Sequence, residues 1–141
     1  MNRITLFLAL VLLVATSAIA QQEPFVVSHL FLKVNHAYTL IGDVEAETDG
    51  GAYIWLDDYE VKIYYSNISV QELKFEGEVR VGDMEGLKFW LQKVRNTLTD
   101  EVLDFTIFTQ DKRPNHRFII LEYADGFKKT FDCEVISAKH Y

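Results

Sequence analysis

From residue 59 to residue 65 the side chains alternate in parity: Tyr59, Val61, Ile63 and Tyr65 on one side, Glu60, Lys62 and Tyr64 on the other. A period of two is the mark of a strand with one buried face. Residues 25–34 are rich in β-branched and aromatic side chains, with apolar groups on both parities. That pattern predicts a strand covered on both faces. Asn35-His36 reads as a turn, after which residues 38–41 continue the strand. Asp49-Gly50-Gly51 is a turn signal ahead of a short strand at 53–56. Residues 68–81 change phase, with Ile68 and Val70 on one parity and Leu73, Phe75, Val79 and Val81 on the other. A bulge at Gln71-Glu72 would restore one apolar face.

Residues 84–95 carry a longer period. Leu87, Trp90, Leu91, Val94 and Leu98 follow the i, i+3, i+4, i+7 spacing of a helical stripe. Asp83 stands as an N-cap, Glu85 lies in the first turn, and Lys93 and Arg95 lie in the last. The pattern predicts a helix ending at Asn96. On it Phe89 falls opposite the stripe, because two residues advance a helix by about 200°. Phe89 therefore points away from that core and reads either as an exposed interface anchor or, more plainly, as a residue covered by a neighbouring loop or scattered on the surface. The last third predicts strands at 104–109, 117–123 and 127–137, with Asp125-Gly126 as a two-residue hairpin turn. That turn pairs Glu122 with Lys129, Ile120 with Phe131 and Phe118 with Cys133, which places Cys133 in the core.

Runs of strands interrupted by one helix do not make the alternating pattern of a parallel sheet. The expected fold is mainly β, an antiparallel β-barrel or two-sheet sandwich. The amphipathic helix at 84–95 would pack against it.

The start of the chain changes the domain picture. Arg3, an apolar run over residues 6–14 and the small-x-small tripeptide Ala18-Ile19-Ala20 compose an export signal. The apolar stretch 4–20 falls short of the ~20 residues that a spanning helix needs. The expectation is a signal peptide at 1–20 and a single β-rich domain at 21–141, periplasmic or extracellular, with no integral membrane segment after cleavage. Of 14 basic residues, loss of Arg3 leaves 13 against 21 acidic ones, a net charge of −8. Such a charge is repelled by phosphate backbones, which argues against nucleic acid as a partner. A single cysteine permits no internal disulfide, so the domain is held by its core, for which 10 Phe, 7 Tyr and 2 Trp supply the area.

Candidate chemistry is sparse. Asp43, Glu45, Glu47 and Asp49 recur at every second position ahead of Gly50-Gly51. They read as a charged edge strand or loop, with a calcium loop as the sharper alternative. The four histidines lack the close spacing of paired zinc ligands. No serine occupies a nucleophile elbow, so no catalytic residue and no cofactor is expected. Asn67-Ile68-Ser69 is a formal glycosylation acceptor. The basic run 112–117, with Lys112 and Arg113 at its head, reads as a hairpin tip facing solvent or an acidic partner.

Residues 65–70 (Tyr-Ser-Asn-Ile-Ser-Val) and 86–95 (Gly-Leu-Lys-Phe-Trp-Leu-Gln-Lys-Val-Arg) carry a resemblance. A strand entering a helix with a Leu-x-x-Trp-Leu core, then closing strands, resembles the phage tail-tube proteins and the haemolysin-coregulated tube protein of type VI secretion. The resemblance implies a small barrel that assembles into tubes. The export signal departs from that family, whose subunits assemble from the cytoplasm, and no functional residue is carried over. The leading expectation is an exported, non-enzymatic domain that acts by protein–protein contact or self-association, such as a subunit of a tube-like assembly. Phe89, Tyr64, Lys112 and Arg113 are the candidate interface residues. A carrier of a small apolar ligand in the barrel interior is the alternative, and an enzyme with a dispersed site is the third.

Overall fold

A computed structural model describes residues 29–48 and 51–139. The expected signal peptide and the first residues of the strand expected at 25–34 lie outside the described residues, as does Asp49. The described chain forms nine strands: β1 (His29–Ile41), β2 (Val44–Thr48), β3 (Tyr53–Asp57), β4 (Glu60–Tyr64), β5 (Val70–Met84), β6 (Leu87–Asn96), β7 (Val102–Gln110), β8 (Arg113–Glu122) and β9 (Lys128–Lys139). Each pairs antiparallel with its neighbours, and β1 pairs with β9 to close the sheet. β2 and β3 lie in line along one edge of β1, opposite Ala37–Ile41 and His29–Lys33 respectively, so they share a stave. The result is a closed antiparallel barrel of eight staves in up-and-down order. One mouth, called the upper, gathers the loops β1–β2, β4–β5, β6–β7 and β8–β9. The lower mouth gathers the other hairpin turns, the start of β1 and the end of β9.

The sequence pattern misreads residues 84–95. They are not helical; no helix occurs among the described residues. Glu85 and Gly86, with φ of 47° and 81°, form a two-residue turn joining β5 to β6, and Met84 faces Leu87 across it. Positive φ at both central residues is what a tight hairpin matching strand twist requires. Trp90 and Val94 then point into the barrel, while Leu87, Phe89 and Leu91 lie on the outer face. Apolar groups on both faces imitate a helical stripe, because positions i, i+3, i+4 and i+7 mix the two parities. The strand–helix–hairpin order underlying the resemblance to tube proteins is therefore absent from the described residues.

Three smaller expectations also change. Asn35-His36 is not a turn; β1 runs through it, with a register irregularity against β9 between Val34 and His36. β1 buries only one parity fully (Leu30, Leu32 and Val34), while Phe31 is partly exposed and Lys33 exposed. The bulge in β5 lies between Glu76 and Arg80, around Gly77 at a φ of 77°, and not at Gln71-Glu72.

The β8–β9 register differs by one residue from the expected one. Glu122 faces Lys128, Ile120 faces Thr130 and Arg117 faces Cys133. Residues 124–126 form a three-residue loop: Gly126 N–H donates to Tyr123 O at 3.0 Å and Tyr123 N–H to Phe127 O at 2.8 Å. Asp125 Oδ1 accepts from Phe127 N–H at 3.0 Å, and Gly126 supplies a φ of 87°. A one-residue shift exchanges the faces of a strand. Ile119 and Leu121 thus enter the core, Phe118 and Ile120 turn outward, and the expected Glu122–Lys129 pair is replaced by Glu122–Lys128 at 3.9 Å.

Inward residues from every stave fill the barrel. Phe75 stacks on Trp90 (centroids 5.6 Å apart, planes at 12°) and meets Phe105 edge-on at 5.3 Å. A second buried group, Leu87, Phe89, Phe108 and Ile120, lies on the outer face of β6–β8, with Leu40, Leu91 and Phe118 packed on it. Phe89 lies across Gly82, where a Cβ would come within 2.2 Å of the Phe89 ring. A side chain at position 82 would displace the ring, so the glycine makes room for it.

Candidate functional site

Outward parity on β1, β3 and β4 brings four aromatic side chains to one strip of surface. Phe31 faces Trp55 across the β1–β3 ladder, and Tyr53 faces Tyr64 across β3–β4. Phe31 stacks on Tyr53 (5.6 Å, 7°) and tilts against Trp55 (6.3 Å, 55°). Tyr53 and Tyr64 are 39% and 40% exposed. Lys62, paired with Glu60 at 3.4 Å, borders Trp55. The neighbouring inward residues Leu32, Ile54 and Ile63 are buried, so the strip rests on a rigid core.

A second constellation lies in the upper mouth. The β4–β5 and β8–β9 loops share one geometry. Ile68 N–H donates to Tyr65 O at 3.1 Å and Tyr65 N–H to Ser69 O at 2.9 Å, as at Gly126 and Tyr123. Ile68 has a φ of 73° where the other loop has glycine, and is 92% exposed. The two loops set Tyr65 and Tyr123 facing inward above the core. Tyr65 O–H donates to Gln71 Oε1 at 2.8 Å, and Gln71 Nε2 donates to Tyr123 Oη at 3.3 Å. Lys129, which shares parity with the buried Phe131 and Cys133, reaches Tyr65 Oη at 3.5 Å. Its Nζ lies 5.2 Å from the Tyr65 ring centroid and 6.0 Å from that of Tyr123. Burial raises the Tyr65 and Tyr123 pKa values and lowers that of Lys129, disfavouring the charged form each time. Beside this network opens a recess of about 450 Å³ lined by its Tyr65, Gln71 and Lys129 together with Val70, Glu72, Asn96 and Leu98.

Of the other sequence candidates, one joins these constellations and the rest lie apart. Tyr64 belongs to the aromatic strip. Phe89 is buried, 4% exposed, in the outer apolar layer, so the exposed position expected from a helix does not exist. Lys112 and Arg113 are exposed at the lower mouth. Arg113 lines a shallow recess of about 330 Å³ with Asn35, Pro114, Asn115, His116 and Glu134. The basic run is a hairpin tip only at its start; Arg117 turns back to donate to Pro114 O and His116 O, each at 2.8 Å. His116 Nε2 contacts Asp132 Oδ1, and His36 Nδ1 contacts Glu47 Oε1 at 2.8 Å.

Glu45 and Glu47 lie on β2, whose other edge has no strand partner among the described residues, and Asp43 lies in the β1–β2 turn. Charges there discourage edge-to-edge pairing. Among the described residues no group of three or more His, Cys, Asp or Glu side chains is placed to hold a metal ion. Cys133 is fully buried, and burial raises its thiol pKa, the reverse of what a reactive thiolate needs.

Comparison of the chain with protein-family models, curated proteins and solved structures finds no match.

Proposed function

We propose that this protein is an exported, non-enzymatic barrel that acts by contacting another protein through the strip formed by Phe31, Tyr53, Trp55 and Tyr64. The observation that carries the reading is the placement of four aromatic rings on the outer face of three adjacent strands. Aromatic anchors set on rigid elements are what protein interfaces favour. The interior is packed by Phe75, Trp90 and Phe105, which favours the surface over an internal ligand. Charge selects the partner. At −8 per mature chain, two copies repel, whereas a partner with a cationic rim is attracted.

The test is to capture partners with the mature protein, identify the bound protein and rebuild the pair from purified components. Trp55→Ala and Tyr64→Ser should each weaken the rebuilt complex about tenfold or more, as expected of interface anchors. Unchanged affinity in both variants, or a mature protein that forms stable homo-oligomers through another face, would overturn the reading.

A further inference from the structure

The upper mouth holds a surplus of hydrogen-bond donors. Lys129 is half-buried, and among the described residues no carboxylate lies within ion-pair distance of its ammonium. Of its three N–H groups, one is directed at Tyr65 Oη. Tyr65 spends its proton on Gln71 Oε1, and Gln71 uses one amide hydrogen on Tyr123 Oη. That leaves two Lys129 hydrogens, the Tyr123 hydroxyl hydrogen and the second Gln71 amide hydrogen. Within this network the acceptor groups, Gln71 Oε1 and the two tyrosine oxygens, already receive bonds. A half-buried cation with spare donors and no carboxylate partner among the described residues favours an anion beside it.

The rim supplies the complementary chemistry. Leu98 is 90% exposed and Val70 is 47% exposed, and both line the recess with Lys129. Ile68, two residues before Val70 on the β4–β5 loop, is held in a left-handed conformation that β-branched residues rarely adopt. Glu72 also lines the recess, on the same parity as Val70, and its charge is offset by Lys62, which it faces across β4–β5. Beneath the network Ile63, Leu73, Leu121 and Phe131 are fully or almost fully buried, so a guest is held at the mouth and not within the barrel.

We infer that the upper mouth binds a small amphiphilic carboxylate. Its head group would meet Lys129 and Gln71, and its chain would lie over Val70 and Leu98.

Octanoate is the probe, titrated into the mature protein by calorimetry, with octanamide as the uncharged molecule of equal chain length. Octanoate should bind saturably at one site, and octanamide at least tenfold more weakly. Lys129→Met should weaken octanoate at least tenfold, Lys129→Arg by no more than a few-fold, and Leu98→Ser several-fold. Trp55→Ala, in the aromatic strip, should leave octanoate binding unchanged, which separates this site from the protein interface. If Lys129→Met does not fold, Lys129→Gln takes its place, with at least a tenfold loss expected. Absence of saturable octanoate binding to the wild-type protein, equal binding of octanamide, or full binding by Lys129→Met would overturn the assignment.

Discussion

The twin loops at the upper mouth provide a controlled measurement of backbone strain. Both are three-residue hairpin loops with matching hydrogen bonds, yet one places Ile68 and the other Gly126 at the left-handed position, with φ of 73° and 87°. An L-residue in that conformation costs about 1–2 kcal/mol through its Cβ. Glycine escapes this but loses roughly 0.5–1 kcal/mol more conformational entropy on folding. Ile68 is 92% exposed, so little packing is lost with its side chain, and a Cβ at Gly126 would meet nothing within 4 Å. Strain is then the difference that remains. Ile68→Gly should stabilise the domain by about 0.5–1 kcal/mol, and Gly126→Ile should destabilise it by a similar or larger amount. The double exchange should lie near the wild type, since the two loops do not share partners. Urea unfolding monitored by tryptophan fluorescence measures this directly. With a slope of about 1–2 kcal/mol per molar, each single variant shifts the midpoint by roughly half a molar. A loss of stability in Ile68→Gly would refute the reasoning, because it would show that the isoleucine side chain holds the loop more than its backbone strains it.

Trp90→Ala should cost about 3–5 kcal/mol by emptying the ring stack with Phe75, read as the midpoint shift in the same experiment. Gly82→Ala should cost about 1–3 kcal/mol by displacing the Phe89 ring, and far less when combined with Phe89→Ala, as a double-mutant cycle would show. Stability should also decline in alkali. Burial raises Tyr65 and Tyr123 above 10.0 and Cys133 above 9.0, so the folded state retains protons that the unfolded chain releases. Their contribution is full below about pH 9 and is lost as pH rises through the unfolded values towards the folded ones. Lys129, lowered from 10.5 by burial, acts in the opposite sense as it discharges, but one group against three does not reverse the decline. Tyr65→Phe should flatten it, measured by urea midpoints between pH 8 and pH 11.

What the sequence made legible follows from how many faces an element buries. β4 buries one face, and the alternation of Val61 and Ile63 with Glu60 and Lys62 was readable at once. β6 buries groups on both, because an outer apolar layer covers Leu87 and Phe89, and its pattern could not be told from a helix. Glu85-Gly86 held the missing signal, since both residues adopt a turn that only a hairpin demands. In β8 the run Phe118-Ile119-Ile120-Leu121 offers an apolar face in either register, so side-chain pattern could not choose between them. The Asp125 and Gly126 hydrogen bonds chose instead. The mouth network was hidden for the same reason, because Tyr123, which shares parity with Ile119 and Leu121, faces inward only in the register that the loop selects. Tyr64 was legible as an aromatic on a polar parity. Its companions Phe31 and Trp55 required knowledge of which strands adjoin.

Closure by β1 and β9 also governs how the chain can reach this state. The seam joins residues from Leu40 with Lys128 to His29 with Lys139, the most distant pairings along the described chain. Contacts of such sequence separation are entropically costly to initiate and slow folding, towards the millisecond-to-second range of β-barrels. Until β9 is available, the other staves form an open sheet whose β1 edge is a row of unpaired amides and carbonyls. A fragment lacking either seam strand exposes two edges at once. Synthesis from one end therefore delivers the last stave only when nearly the whole barrel is already present, and until then the growing sheet is at its most vulnerable to pairing with another chain.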